Sequence, residues 1–209
     1  MEIKNLRAWR FTRQGALALI FTFFTVMPAS AQTAKQVLDK AAAVLSNKNG
    51  AQASFTSKGA YLNTSGTLAI KGKKFQITTS EGVVWFDGKT QWFYLKKNDE
   101  VNVSNPSESE LAAHNPYNII SMYKNGYSST MEKKGGNYVV HLTAKGKKAF
   151  QEMYITINQK TSVPSQIRMK NSKGWTTIDI RNFKQVALAD GMFRFNSKEF
   201  PSAEVIDLR

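Results

Sequence analysis

The sequence predicts a mainly β protein with a few helices, an α+β fold built on one curled antiparallel sheet of about eleven strands. Three observations lead to this prediction. Short segments of alternating or wholly apolar character recur from Ala51 onward, turn residues separate them, and the connections leave no room for crossover helices. A sheet of so many strands accumulates twist and curls, and three amphipathic segments are available to fill its concave face.

The first 31 residues are predicted to be a cleaved secretory signal peptide. Four basic residues precede the apolar run Gly15–Val26, which is too short for a permanent membrane anchor, and Ala29-Ser30-Ala31 fits a small-residue cleavage site. An uncleaved anchor is the alternative. The remaining part, residues 32–209, has a suitable length for a single domain with one substantial core.

The composition is strongly basic and lacks cysteine. The chain has 29 Lys and Arg against 15 Asp and Glu, a net charge of +14. This excess indicates attraction to anionic surfaces, and the predicted export favours lipid headgroups over nucleic acid. The lysines concentrate in hairpin turns, where they form either a solvated rim that protects the sheet edges or a dock for anionic headgroups.

The first helix is predicted to begin after Thr33. Thr33 and Gln36 form a capping box, apolar residues follow at helical spacing, and Asn49-Gly50 ends the segment. Six strand-like segments come next. They read ASFTSKG, GTLAIKG, KFQITT, VVWFD, TQWFYLK and EVNVS.

Pro106 interrupts the strand pattern, and two short helices are predicted in the middle of the chain. Ser107 and Glu110 form a second capping box, and Asn115-Pro116 supplies an N-cap followed by a first-turn proline. After Asn125-Gly126 the strand pattern resumes, and the C-terminal stretch is expected to add a last partial strand. The five segments read GYSSTME, NYVVHLT, FQEMYITIN, SQIRMKN and GWTTIDIRNF.

One strand carries bulky apolar side chains on both faces. Trp92 and Tyr94 share one face, and Phe93 and Leu95 share the other. A half-solvated strand would alternate apolar and polar residues, so both faces need a cover. We interpret the helices, or a ligand that they enclose, as the cover of the second face.

In these segments the sequence resembles the periplasmic lipoprotein carriers of Gram-negative bacteria, which ferry lipoproteins from the inner to the outer membrane. The resemblance spans residues 32–209. It implies an unclosed, strongly curved antiparallel barrel of eleven strands, a lid of three short helices and an apolar cavity for acyl chains. It rests on Ala53-Ser54-Phe55-Thr56 with Lys58, Gly66-Thr67-Leu68 with Ile70-Lys71 and Phe75, Asp87-Gly88-Lys89-Thr90 with Trp92-Phe93-Tyr94, Asn115-Pro116, and Phe193-Arg194-Phe195 with Pro201.

The resemblance also implies partners and a location. The cargo would be acylated lipoproteins or lipids, taken from an inner-membrane donor transporter and given to an outer-membrane acceptor. The protein would act as a monomer in the periplasm. A carrier of free lipids or glycolipids is the main alternative, and a single-domain sensor of envelope stress, related by the same resemblance, is another.

The chain departs from that family in its lid contact. Family members place Arg-Pro before the phenylalanine of the third strand, and the arginine hydrogen-bonds to the lid and holds it shut. This chain has Lys71-Gly72-Lys73-Lys74 there. A lysine is a point charge and cannot reproduce a planar contact with several donors, so the family's latch is not carried over to this chain.

Strand parity and the resemblance together predict the cavity and lid residues, with plain core packing as the alternative for each. The resemblance places Phe75 at the cavity mouth. Trp92 and Tyr94 are predicted to face the cavity because their polar atoms would reach the lid or the rim. The predicted lipid-binding residues are Phe55, Phe75, Ile77, Val84, Phe86, Trp92, Tyr94, Ile119, Met122 and Val140. The predicted lid residues are Val37, Ala41, Val44, Leu45, Leu111 and Ile120.

No catalytic, metal or cofactor site is predicted. His114 and His141 have no second histidine and no cysteine at metal-ligating spacing. A nucleophile elbow, a phosphate loop and a dinucleotide fingerprint are absent from the sequence. Nucleic-acid binding would need an exposed stacking platform and conflicts with export, so no nucleic-acid partner is expected.

Overall fold

The structure is a computed structural model that describes residues 32–60, 63–107, 110–111, 119 and 122–209. Gln32–Arg209 form one compact unit. The predicted signal peptide, residues 1–31, lies outside the described residues and stays a prediction. Within the described ranges, no helix combines the length and the apolar character needed to cross a membrane.

Helix α1 (Ala34–Leu45) begins at the predicted capping box. Thr33 Oγ1 accepts from the backbone N–H of Gln36 at 3.2 Å, and Gln36 Oε1 accepts from the backbone N–H of Thr33 at 2.9 Å. The helix ends at Leu45, before the predicted Asn49-Gly50 stop, and the backbone N–H of Ser46 closes its last turn. Its buried residues are Val37, Leu38, Ala41, Ala42 and Leu45.

The described residues contain twelve strands, which form one open sheet. The strands are β1 (Ala51–Gly59), β2 (Thr64–Lys71), β3 (Lys74–Thr79), β4 (Gly82–Phe86), β5 (Gln91–Leu95), β6 (Glu100–Ser104), β7 (Tyr127–Lys134), β8 (Asn137–Ala144), β9 (Glu152–Asn158), β10 (Pro164–Asn171), β11 (Gly174–Gln185) and β12 (Glu204–Asp207). Their order in the sheet is β12-β6-β5-β4-β3-β2-β1-β11-β10-β9-β8-β7. The residues between β6 and β7, 105–126, are called the mid-chain segment. Short turns link consecutive strands on each side of it, as the sequence predicts. β1 joins the two halves by pairing with both β2 and β11.

The antiparallel pattern has one exception, which also changes the predicted number of strands. β12 pairs with β6 in parallel. It is the partial strand expected in the C-terminal stretch, and it brings the total to twelve in place of eleven. A strand that pairs in parallel with a neighbour needs a long connection to reach its position. Here the connection from β11 to β12 crosses the sheet, and its contacts are described below.

The two faces of the sheet have different covers. The face on which α1 packs is called the helix face, and the opposite one the outer face. On the helix face, α1 lies over the second half of the sheet and forms one core with its inward side chains. The strand residues of that core are Val140, Leu142, Met153, Ile155, Ile157, Ile167 and Met169.

The segment of residues 188–203, called the C-terminal segment, lies between β11 and β12 and covers the outer face of the first half of the sheet, β1 to β6. The Phe200 ring lies 5.5 Å from the Trp85 ring and 4.6 Å from the Tyr94 ring, and Phe195 adds a further contact to Trp85 at 5.8 Å. Phe193 is fully buried in a second core cluster with Leu188 and Ala69. The face of β5 that carries Trp92 and Tyr94 is therefore covered by a non-local segment and not by the helices, whereas Phe93 on its other face lines a cavity described below.

Charged contacts fix the C-terminal segment to the first half of the sheet. Lys71 Nζ donates to the backbone carbonyl of Leu188 at 2.7 Å. Lys71 and Lys74 both form ion pairs with Asp190, at 3.0 and 3.2 Å. Arg194 pairs with Asp87 at 2.8 Å. Two of the lysines that replace the family's Arg-Pro thus hold this segment.

The mid-chain helices lie mostly outside the described residues, so their number and extent stay a prediction. The second capping box is present at its start. The backbone N–H of Ser107 donates to Glu110 Oε2 at 2.8 Å, and Ser107 Oγ accepts weakly from the N–H of Glu110 at 3.4 Å. Glu110, Leu111 and Ile119 have helical backbone, whereas Ile120 is not among the described residues.

A polar contact joins α1 to the end of the mid-chain segment. The hydroxyl of Tyr123, in a short 3-10 helix, donates to the carboxylate of Asp39 on α1. Lys35 and Lys124 flank the same carboxylate at 2.9 and 3.8 Å. The hydrogen bond from Tyr123 and then that from Lys35 hold the pKa of Asp39 below its ordinary value. This contact ties α1 to the mid-chain segment without an arginine.

Candidate functional site

Beside the core under α1, the helix face carries a cavity of about 640 Å³. Ligand-binding clefts typically have volumes of about 300–1,000 Å³, so this one is large enough for a ligand of substantial size. Seven strands contribute to it, namely β1 to β5, β10 and β11. Its apolar lining consists of Ala53, Phe55, Leu68, Ile77, Val84, Phe93, Ile119, Ile167, Met169, Ile178 and Ile180.

The strand register places these side chains on one face. Ile77 lies opposite both Leu68 on β2 and Val84 on β4, and Val84 lies opposite Phe93 on β5. Because side chains two residues apart share a face, the alternating apolar positions of neighbouring strands form one continuous surface. The sheet is therefore apolar on this face well beyond the area that α1 covers.

Much of this lining is incompletely buried. Phe55, Ile77, Val84 and Phe93 are all half-buried, whereas the core residues under α1 are almost fully enclosed. Apolar side chains on a close-packed sheet face are normally covered. A contiguous apolar surface that remains accessible marks a binding site for an apolar partner or ligand.

One end of the cavity is polar. There the connections β1–β2, β3–β4 and β10–β11 meet, and Asn63 and Glu81 are exposed. Thr64 Oγ1 donates to Glu81 Oε2 at 3.1 Å. Hydrogen bonding, in which the Thr79 side chain contributes most, lowers the pKa of Glu81. The polar residues of this end are Ser57, Asn63, Thr64, Thr79, Glu81 and Thr176.

On the side away from this polar end, the next helix-face residues of β3 and β4 beyond the lining form a packed pair of aromatic rings. Phe75 is fully buried, and its ring centroid lies 5.3 Å from that of Phe86. Both side chains point to the helix face but do not line the cavity. The expectation of Phe75 at the cavity mouth is corrected, since Phe75 lies four residues from Thr79 along β3, away from the exposed end.

Four of the ten predicted cavity residues line the cavity: Phe55, Ile77, Val84 and Ile119. Val140 is instead fully buried in the core under α1, and Met122 is partly buried against the same core. Val140 lies on β8 and Met122 in the 3-10 helix, and both pack with buried residues of α1, Ile119 and Tyr123 in that core. Their assignment to the cavity is corrected accordingly.

Trp92 and Tyr94 lie on the opposite face from the cavity. Tyr94 pairs with Val83, and Trp92 pairs with Trp85, so both belong to the outer-face set. The Tyr94 hydroxyl donates to Asp99 Oδ1 at 3.0 Å, in the β5–β6 turn, and not to the lid or the cavity rim. Phe93, the residue between them, faces the cavity in their place.

The predicted lid residues on α1 behave as core residues. Val37, Ala41 and Leu45 are buried and Val44 is half-buried. Among the residues that the structure describes, none from α1 lines the cavity. α1 therefore packs beside the cavity, whereas Ile119 from the mid-chain segment reaches it. Leu111 is half-buried, and nothing is described for Ile120.

β10 and β11 contribute four apolar residues to the cavity that are not among the predicted cavity residues. Ile167 and Met169 alternate with charged residues, and Ile178 and Ile180 do the same with polar ones. This period-two pattern is the signal that identifies them as the inward face of an amphipathic strand. It does not show that β11 lies next to β1, which is what brings these four residues to the cavity.

The described residues contain no group of three or more His, Cys, Asp or Glu side chains placed to hold a metal ion. His141 lies on the outer face, where its Nε2 is 3.0 Å from Glu152 Oε1 and its ring stacks on Tyr154 with a centroid distance of 4.3 Å. His114 is outside the described residues. His141 is therefore remote from the cavity.

Comparison with known proteins identifies relatives of this fold. None of the curated proteins matches the sequence. A solved structure of an uncharacterized conserved protein from Thermus thermophilus is similar over 84% of this chain and 99% of its own, with a TM-score of 0.59 and 14% identity. A chain of the Pseudomonas aeruginosa MucA/MucB complex matches 78% of this chain and 60% of its own, with a TM-score of 0.50 and 12% identity.

These structural likenesses, at such low identity, show a shared fold. A family model provides evidence of family membership, because it matches residues 24–173, most of the chain. That model is described as outer membrane lipoprotein carrier protein LolA. Together with the open sheet and its apolar cavity, this match shows that the chain belongs to the LolA family of outer membrane lipoprotein carrier proteins.

Proposed function

We propose that this protein is a periplasmic carrier that shields the acyl chains of lipoproteins in the helix-face cavity and moves them from the inner to the outer membrane. The single observation that carries the proposal is the apolar cavity of about 640 Å³, whose lining includes half-buried Phe55, Ile77, Val84 and Phe93. The family match supplies the class of cargo. In this function an inner-membrane transporter delivers the cargo, an outer-membrane acceptor receives it, and the carrier acts as a monomer.

The energetics of acyl burial suit such a carrier. Each buried methylene contributes about 0.8 kcal/mol, so a chain of about 15 carbons contributes on the order of 10 kcal/mol. A carrier must also release its cargo without nucleotide hydrolysis. Aliphatic walls of Ile, Val and Leu with the flexible Met169 give loose complementarity and few directional contacts, which limits the affinity that must be overcome at release.

The most direct test changes one cavity residue to a charged one. Val84→Glu places a carboxylate in the apolar lining, and Val83→Glu is the matched control because Val83 is its half-buried neighbour on the outer face. We expect Val84→Glu to lose co-purifying acylated cargo and to impair lipoprotein delivery in cells, and Val83→Glu to retain both. Phe75→Glu would be less informative, since Phe75 is fully buried and a carboxylate there would destabilise the fold.

Native mass spectrometry of protein purified from the periplasm of its own host identifies the cargo. A lipopeptide mass supports the lipoprotein carrier, and a free lipid or glycolipid mass supports the alternative carrier that uses the same cavity. Normal lipoprotein delivery and unchanged bound mass in a folded Val84→Glu variant would refute the proposal. An unliganded wild-type protein that also fails to bind acyl chains in vitro would refute both versions.

A further inference from the structure

The polar end of the cavity carries a single charged side chain among the described lining residues. This is Glu81, in the connection between β3 and β4, and no lysine or arginine from the described part of the chain joins it in the lining. The carboxylate is held at the rim by the hydrogen bond from Thr64 Oγ1 at 3.1 Å. The one charge in the described lining is thus negative, in a chain whose net charge is +14.

The charge of Glu81 is not neutralised within the described part of the chain. The ion pairs that the described residues form do not include it. Lys96 contacts Glu81 through the backbone, since its N–H donates to the carbonyl oxygen of Glu81 at 3.0 Å. The hydrogen bonds to the carboxylate come from uncharged groups, so Glu81 keeps a full negative charge at the cavity mouth.

The cavity is polar at its rim and apolar in the rest of its lining, so a bound acyl chain has a preferred orientation relative to Glu81. Away from the rim the lining is predominantly apolar, and beyond it the next helix-face residues of β3 and β4, Phe75 and Phe86, form a packed pair of rings. An acyl chain lowers its free energy by placing its methylenes against this apolar lining. Its polar end must then lie at the rim, among Thr64, Thr79 and Glu81, where water also reaches.

We propose that Glu81 selects ligands by the charge at their polar end. Chains that end in a neutral ester or amide, or in a cation, are accepted, and chains that end in a carboxylate or phosphate are disfavoured by repulsion at the rim. This inference rests on the proposed function, in which acyl chains occupy the cavity. The acyl chains of a lipoprotein are attached through neutral linkages. Such a charge preference would therefore let the carrier accept acylated peptides and reject free fatty acids and anionic phospholipids.

The test compares three single-chain ligands of equal length below their micellar concentrations. Monolauroyl glycerol is neutral, dodecanoate is anionic and dodecylammonium is cationic, and each is titrated calorimetrically into the purified protein at neutral pH. For the wild type we expect dodecanoate to bind about fivefold more weakly than monolauroyl glycerol, the factor that corresponds to two like charges about 4 Å apart in water. Dodecylammonium should bind at least as tightly as the neutral ligand.

Substitutions then assign the preference to Glu81. Glu81→Gln should equalise the affinities of dodecanoate and the neutral ligand, and Glu81→Lys should reverse their order. Glu132→Gln is the matched control, because Glu132 is exposed on β7 and pairs with Val139 on the outer-face set. It makes the same change in net charge and should leave the preference intact. At about 1 M salt, where the Debye length is about 3 Å, the wild-type preference should largely disappear.

The outcomes separate this inference from the proposed function. If none of the three chains binds the wild-type protein, the proposed function fails. If all three bind with equal affinity, or if the preference survives in Glu81→Gln, acyl binding stands and the role of Glu81 is refuted. A preference that Glu132→Gln also removes would reflect the net charge of the protein, and would equally overturn the assignment to Glu81.

Discussion

Replacing Phe193 with alanine should destabilise the whole domain, because the C-terminal segment is part of its core. Phe193 has no exposed surface and packs in a cluster with Leu188 and Ala69. Phe→Ala changes at buried sites cost about 3–5 kcal/mol. Val186 and Met192 at the edge of this cluster are only partly buried and can move into the space, so we expect about 3 kcal/mol.

Urea unfolding monitored by circular dichroism provides the measurement. With a denaturant slope of about 2 kcal/mol per molar, a loss of about 3 kcal/mol lowers the midpoint by roughly 1.5 M. Leu208→Ala is the control, because Leu208 is 63% exposed and its truncation should change stability by less than about 0.5 kcal/mol. A loss below about 1 kcal/mol for Phe193→Ala would mean that the segment does not cover the outer face.

Two further predictions concern the polar contacts. The hydrogen bonds of Lys71 and then Lys74 lower the pKa of Asp190 from 3.8, so this group stabilises the fold above pH 3.8 and loses that contribution as the pH falls through its lowered pKa. Asp190→Asn should therefore reduce stability at neutral pH and flatten its decline in acid, and an unchanged acid limb in pH-dependent urea titrations would contradict this. Tyr123→Phe should raise the pKa of Asp39 measured by NMR and accelerate amide exchange in α1, whereas an unaltered Asp39 titration would rule out the contact.

Local signals in the sequence sufficed for most of the secondary structure. The capping boxes at Thr33 and Ser107 form the predicted hydrogen bonds, since both partners lie within one turn of the chain. The eleven predicted strand segments overlap β1 to β11, because turn residues and period-two patterns are also local. The parallel pairing of β12 was not predictable in this way, because it depends on a connection that crosses the sheet.

The assignment of strand faces to the cavity depended on information that lies far apart in the chain. In β5, both faces are apolar, so the pattern alone could not decide between Trp92 and Phe93. The outer face of β5 is determined by the C-terminal segment, because Phe200, roughly a hundred residues away in the chain, packs on Tyr94. Tyr94 and Trp92 therefore lie on the outer face, together with their cross-strand partners Val83 and Trp85.

The lysine-rich β2–β3 turn illustrates how a departure from a family pattern can be reinterpreted. The sequence showed that Lys71 and Lys74 could not reproduce the family's arginine contact. It did not show that both lysines bind Asp190 in the C-terminal segment, on the face opposite the cavity. The contact between α1 and the mid-chain segment is instead made by Tyr123 and Asp39, two residues without a recognisable motif.

Photolabelling would show directly whether a bound acyl chain lies in the helix-face cavity. A fatty acyl glycerol that carries a photoreactive diazirine near its methyl end would be bound, irradiated and mapped by peptide mass spectrometry. We predict saturable labelling of helix-face residues deep in the cavity, such as Ile77, Phe93 and Ile167, that an unlabelled acyl chain competes away. Labelling confined to the outer face, or labelling that no competitor reduces, would contradict the assignment of this cavity as the lipid site.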